Sequence, residues 1–188
     1  KYSDLHLINR SGKLGLGTAY CEGFAWAIDK KYDFVIQMDA DLSHNPNDLI
    51  ILTKYTNEYS LIIGSRYIDG IRIINWPISR LILSYSANLY ARLITGIKIK
   101  DLTGGFKCFS INVLKNINLN KIRSEGYSFQ IELNYLTALQ KFKIKEVPII
   151  FTDRVAGNSK MSKKIIFEAL YMVPYLRIRN ILSFFIND

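Results

Sequence analysis

The sequence predicts an α/β domain built on a mostly parallel sheet flanked by helices. Residues 34–38 and 61–65 are short apolar runs of strand length without polar alternation, as strands covered on both faces read. Around them lie segments whose apolar residues recur every three or four positions, the spacing of a helix packed on a sheet. With 188 residues, 49% of them hydrophobic, one domain can bury a substantial core.

In chain order, residues 5–8 read as a short apolar strand with no earlier unit to pair with. A loop rich in Gly and Lys follows over 9–16, then a helix from about Gly17 to about Lys31, with Ala19, Phe24, Ala27 and Ile28 at helical spacing. The strand at 34–38 runs directly into Asp39-Ala40-Asp41. Asn45-Pro46 supplies a capping residue and a first-turn proline, which predicts a helix reaching about Tyr59. After the strand at 61–65, a long helix is expected over 79–95, closed by Gly96. A strand at 106–109 and a helix at 128–141 follow, the latter presenting Phe129, Leu133, Leu136 and Leu139. Pro148 places the strand predicted at 147–151 at a sheet edge or a strand start, because proline cannot donate to a ladder. Residues 153–162 read as a basic polar loop. The last helix, from about 163 to 186, is interrupted or kinked at Pro174. Residues 1–162 thus read as the main α/β unit and 163–188 as a C-terminal amphipathic helical segment.

Lys plus Arg number 25 against 16 acidic residues, a formal charge of +9 that favours anionic partners or reflects a Lys-rich composition. Nucleic acid is the weaker choice of anion, since binding it calls for exposed aromatics among the basic residues, and here the aromatics fall at core spacing. No signal peptide opens the sequence, and no uncharged run of about 20 apolar residues occurs. Cys21 and Cys108 show no metal spacing and read as two thiols in a reducing compartment.

Three constellations can carry chemistry. Asp39 and Asp41 stand beyond the carboxyl end of a buried strand, where open α/β sheets bind ligands. They can hold a hard divalent cation that bridges a diphosphate, or Asp41, Ser43 or Asn45 can cap the next helix. A phosphatase of the haloacid-dehalogenase type also places Asp-x-Asp after a strand, but needs a further acidic cluster that Asp101, Glu125, Glu132 and Asp153 do not form. Arg66, Arg80, Arg154 and Lys160 follow strand ends or open a helix, positions suited to phosphate. The glycine loop at 12–17 lacks the Walker ending, and by spacing alone says little.

Taken together, these segments resemble the polyprenol- and dolichol-phosphate mannose synthases of glycosyltransferase family 2. The matching blocks are 10–20 (Arg-Ser-Gly-Lys-Leu-Gly-Leu-Gly-Thr-Ala-Tyr), 38–44 (Met-Asp-Ala-Asp-Leu-Ser-His), 64–67, 101–106 (Asp-Leu-Thr-Gly-Gly-Phe), 125–132, and 146–149 with 153–160. They keep the family's order from about residue 5 to 170. The resemblance implies a GT-A type, Rossmann-like fold whose N-terminal strand unit is missing here, and a chain inactive by itself. It also implies Mg2+ or Mn2+ on Asp39 and Asp41, a donor site of Lys13, Asp39, Asp41, Arg154, Ser159 and Lys160, and an acceptor-phosphate site of Arg66, Arg80 and Ser84. Asp41, Arg66 and Arg80 would be the catalytic residues. Many relatives carry Gln where this sequence has Ser43, which puts a third protein ligand in doubt. The implied reaction is inverting transfer of mannose from GDP-mannose to a polyprenyl phosphate, with a UDP-sugar donor as the alternative. It would take place at the cytoplasmic face of a membrane that the last helix touches peripherally, through Phe167, Tyr171, Tyr175, Phe184 and Phe185 beside Lys163, Lys164, Arg177 and Arg179.

Overall fold

The computed structural model describes residues 4–153 and 163–186. Helix α1 (Leu16–Asp29) leads to strand β1 (Phe34–Gln37), helix α2 (Asp48–Thr53) and strand β2 (Leu61–Ser65). The short strand β3 (Ile73–Ile74) and the long helix α3 (Ile78–Thr95) come next, followed by β4 (Lys107–Ser110) and α4 (Ile111–Asn116). Helix α5 (Gly126–Leu139), strands β5 (Ile144–Pro148) and β6 (Phe151–Thr152), and helix α6 (Lys163–Ile186) complete the chain.

The main sheet has the order β1-β4-β2-β5. Strands β1, β2 and β5 run the same way, β2 pairing parallel to β5, while β4 is inserted antiparallel between β1 and β2. Three of the four strands thus share one direction, as expected of a mostly parallel sheet, and β4 alone runs against them. Strand β4 feeds directly into α4, which is capped where the Ser110 hydroxyl accepts from the Asn112 amide. Pro148 ends the edge strand β5, where a missing N–H costs nothing. That strand begins three residues earlier than the sequence predicts. Among the described residues, 5–8 join no sheet, and Leu5 and Leu7 are exposed. Helix α2 is shorter than expected, because both its ends wind on i→i+3 bonds such as Leu49 N to the Pro46 carbonyl and Thr56 N to the Thr53 carbonyl.

The pleat gives the sheet two apolar faces. Leu61, Ile63 and Phe109 pack with Phe24 of α1 and with Phe129 and Leu133 of α5; Ile62, Cys108 and Val147 pack with Leu52 of α2. Helix α5 is buried nearly all round, not on the single predicted stripe, since α6 covers its outer side. Cys21 and Cys108 are both free thiols, as expected, and burial pushes each up to about 11.

Candidate functional site

Beyond the ends of β1 and β2, a cavity of about 60 Å3 is lined by Asp39, Asp41, His44, Arg66, Trp76 and Arg80, with the Gly104-Gly105 turn and Tyr127 among its other walls. The apolar run that makes β1 a strand thus delivers two carboxylates to the same cleft. Asp39 Oδ1 accepts from the Tyr20 hydroxyl at 3.2 Å. Asp41 Oδ1 accepts from the Ser43 amide at 3.1 Å and from the Ser43 hydroxyl, closing a turn in which Leu42 is left-handed (φ 64°). Asp41 and Ser43 therefore bond to each other and do not cap α2; the Asn45 carboxamide oxygen accepts from the Asn47 amide, just ahead of the helix. At Gly105 an added Cβ would sit 3.8 Å from Asp39 Oδ2, which places this turn directly against that carboxylate.

Two oxygen-donor carboxylates in one cleft fit Mg2+ or Mn2+, which accept phosphate and water as further ligands. Among the described residues, no group of three or more His, Cys, Asp or Glu side chains could hold an ion by itself. A cation here would complete its shell with water or with oxygens of a bound ligand. His44 lines the same cavity, with its ring against Phe106 and Phe151. Burial, opposed by the Asp39 charge, lowers its pKa.

Both arginines on the opposite wall are tied down. Arg66 donates from Nε and Nη2 to the two oxygens of Asp101, each at 2.7 Å, and from Nη2 to Thr103 Oγ1 at 2.9 Å. Burial alone would push Asp101 up, but the adjoining guanidinium and its hydrogen bonds hold it below the usual carboxylate range. Arg80, in the first turn of α3, donates from Nη1 to both oxygens of Asp153 at 2.9 and 3.0 Å. Ser84 lies one turn further on, buried, its Oγ accepting from the Tyr67 hydroxyl at 2.8 Å.

A second cavity, about 250 Å3 and almost wholly apolar, lies among α3, α5 and α6, with Leu83, Ala87, Ile131, Ile166 and Leu170 in its walls. Arg66, Trp76, Thr103 and Tyr127 line both cavities and form the neck between them.

The fold thus brings Asp39, Asp41, Arg66 and Arg80 to one cleft and sets Ser84 in the wall of the adjoining cavity. Lys13 is exposed on the glycine loop and is not in either wall. Arg154, Ser159 and Lys160 lie outside the described residues. Trp76, Tyr20, Tyr127 and Thr103 were not singled out as site residues from sequence. Tyr20, Thr103 and Tyr127 lie within blocks already quoted, which is their one local signal, and Trp76 lies in none of them.

A carboxylate pair at a strand end, facing arginines across a cleft, is the layout of a phosphate-bearing ligand site in an α/β fold. The chain belongs to glycosyltransferase family 2: residues 1–117 match Glycosyl transferase family 2. Undecaprenyl-phosphate mannosyltransferase of Micrococcus luteus is 40% identical over 169 residues, covering 90% of this chain and 70% of that protein. Polyprenol monophosphomannose synthase of Mycolicibacterium smegmatis is 42% identical over 176 residues, covering 93% of this chain and 66% of that protein. Among solved structures, glucosyl-3-phosphoglycerate synthase of Mycobacterium tuberculosis with Mn2+ and UDP-glucose superposes with a TM-score of 0.58. At 16% identity, covering 90% of this chain and 55% of that one, it shows the fold alone.

Proposed function

We propose that this chain forms the catalytic part of an enzyme moving mannose from GDP-mannose to a polyprenyl phosphate, with inversion at the anomeric carbon. The observation that carries the reading is the pair of cavities, one lined by carboxylates and arginines, the other apolar, meeting at a neck of Arg66, Trp76, Thr103 and Tyr127. An acceptor that is a phosphate at one end and a hydrocarbon at the other matches that pair. The two relatives' names, a mannosyltransferase and a monophosphomannose synthase acting on polyprenyl-type lipids, support the same acceptor and sugar.

In this reading Asp39 and Asp41 would hold Mg2+ or Mn2+, which would offset negative charge on the departing diphosphate. Arg80 and Arg66 orient the acceptor phosphate, and Ser84 lies where the phosphate meets the chain. A phosphate oxygen bonds to the anomeric carbon as the bond to the diphosphate oxygen breaks, and the electron pair leaves with the nucleoside diphosphate. The phosphate is an anion near neutral pH, so positioning and charge stabilisation suffice without a general base. Lys13, Arg154, Ser159 and Lys160 complete the donor side.

The lipid must be met at a membrane, and we place the enzyme at its cytoplasmic face. Ile78, Ile82, Tyr85, Leu89 and Leu93 form an exposed stripe along α3 at three- and four-residue spacing. Beside it α6 exposes Phe167, Leu170, Tyr171, Ile178 and Leu182, and the Tyr90 hydroxyl of α3 donates to the Leu170 carbonyl at 2.9 Å. Among the described residues no helix is long and apolar enough to cross a membrane. Two adjoining apolar stripes in a protein of charge +9 suit peripheral contact with an anionic bilayer.

The test is to supply the full-length protein with polyprenyl phosphate, Mn2+ and labelled GDP-mannose or UDP-glucose in parallel, and to count label in the organic phase. Lipid label from GDP-mannose, lost in Asp41→Ala, is the expected result. Label from UDP-glucose alone would change the sugar; none from either would overturn the acceptor.

A further inference from the structure

Trp76 lies between two arginines and two cavities, and no motif on the sequence assigns it a task. Its ring centroid is 4.0 Å from the Arg80 guanidinium carbon and 5.5 Å from that of Arg66. Phe151 meets the ring edge-on at 5.4 Å and also lies 5.7 Å from the Arg66 guanidinium carbon, which braces the arrangement from β6. The backbone fixes the indole from the other side. Asn75 is left-handed (φ 64°) and Pro77 sits at the N-cap of α3, so the residue between them is set by a turn and a helix start. The indole Nε1 is buried and has no hydrogen-bond partner among the described residues.

Two guanidiniums converging on one cleft repel each other, and each is already drawn toward a carboxylate of its own, Asp101 or Asp153. An aromatic ring close to both draws the two cations to itself and keeps them near one position. We propose that Trp76 is the positioning residue of the acceptor-phosphate site, holding Arg66 and Arg80 convergent on an anion at the neck and offering its own N–H to that anion. The proposal rests on the reading of Arg66 and Arg80 as the acceptor-phosphate site. It adds that the aromatic ring decides how well those two residues work together.

The test is equilibrium binding of farnesyl phosphate, a short phosphate monoester with an isoprenoid tail, to the full-length protein and to Trp76→Ala, Trp76→Phe and Arg80→Lys variants. Farnesol and GDP-mannose with Mn2+ are titrated alongside. We expect Trp76→Ala to weaken farnesyl phosphate about tenfold, the scale of losing two cation–ring contacts. Farnesol and GDP-mannose should be held within about twofold of the parent protein by the same scale. Trp76→Phe, which keeps a ring but not the N–H, should recover most of the loss and also guards against a folding defect in the alanine variant. Unchanged farnesyl phosphate affinity in Trp76→Ala, or an equal loss for all three ligands, would overturn the proposal. A Trp76→Phe variant as weak as Trp76→Ala would overturn the stacking argument on which it stands. If Arg80→Lys binds farnesyl phosphate as the parent does, the acceptor-site reading itself fails and takes the proposal with it.

Discussion

Arg66 and Asp101 form a buried bidentate pair in which side-chain Nε and Nη2 each meet a carboxylate oxygen at 2.7 Å and the Arg66 amide adds a third bond at 2.9 Å. The backbone of Asp101 is anchored in turn: Glu146 Oε1 accepts from the Asp101 amide at 2.9 Å and from the Ser65 hydroxyl at 2.7 Å. One arginine of the cleft is thus charge-compensated before any ligand arrives. Asp101→Ala leaves a buried guanidinium without its partner and should cost about 3–5 kcal/mol of stability. Combining it with Arg66→Met should return part of that loss, because no lone charge then remains. Urea unfolding of the two variants checks both statements; equal stability of the single and double variants would contradict them.

Tyr20 reaches the first carboxylate from α1. Its ring stacks on Phe129 at 5.8 Å with 7° between planes, which fixes the hydroxyl beside Asp39 Oδ1. Burial and the neighbouring Asp39 charge push the phenol well above its usual range, so it stays a donor. Tyr20→Phe keeps the stack and removes the bond. Mn2+ affinity measured by electron paramagnetic resonance should fall about tenfold, the usual cost of losing a partner that orients a metal ligand. An unchanged Mn2+ affinity would mean that Asp39 is oriented without help.

What was legible in the sequence was local. The strand at 61–65 has the predicted bounds, since a run of apolar residues buried on both faces needs no distant information. Asp39 and Asp41 stand out because β1 delivers them directly. Strand β5 was harder to place, because Ile144-Lys145-Glu146 looks like a polar loop. Its charges are spent on partners remote in sequence, Lys145 over the rings of Tyr55 and Tyr59, and Glu146 on Ser65 and Asp101. The direction of β4 and the roles of Tyr20 and Trp76 come from residues converging across the fold, which no spacing along the chain records.

Gly17 shows how a legible motif can carry a different meaning. The glycine block resembles a family motif, yet an added Cβ at Gly17 would lie 2.6 Å from the Ser124 carbonyl oxygen and 3.0 Å from the Phe129 ring. The glycine lets α1 pack against the approach to α5, a contact of backbone on backbone that cannot give way cheaply. Gly17→Ala should therefore destabilise the fold by about 1–3 kcal/mol despite the better helix propensity of alanine. Gly12→Ala, with nothing within 4 Å, should be close to neutral. Thermal unfolding of the two variants separates packing from loop flexibility, and equal effects would remove the packing argument.

Lys107 is the least expected residue of the sheet, a fully buried lysine in β4 whose Nζ donates to the Gln130 side-chain oxygen at 2.8 Å and to its carbonyl at 3.2 Å. Burial lowers its pKa from 10.5 to about 7; the Asp101 charge opposes the shift and the Arg66 charge adds to it. Because the folded value lies below the unfolded one, the unfolded chain holds the extra proton between about pH 7 and 10.5. Stability contributed through this group must then rise with pH across that window, by up to about 1.4 kcal/mol per pH unit, and stay level below it. Lys107→Met keeps the length and removes the titration. The difference in unfolding free energy between parent and variant should change in the parent's favour from pH 7 to 9 and be flat from pH 5.5 to 6.5. A difference that is flat from pH 7 to 9 would mean that the ammonium stays charged throughout, compensated by Gln130 and the nearby carboxylate. In that case Lys107 would be a permanent buried cation held against Gln130.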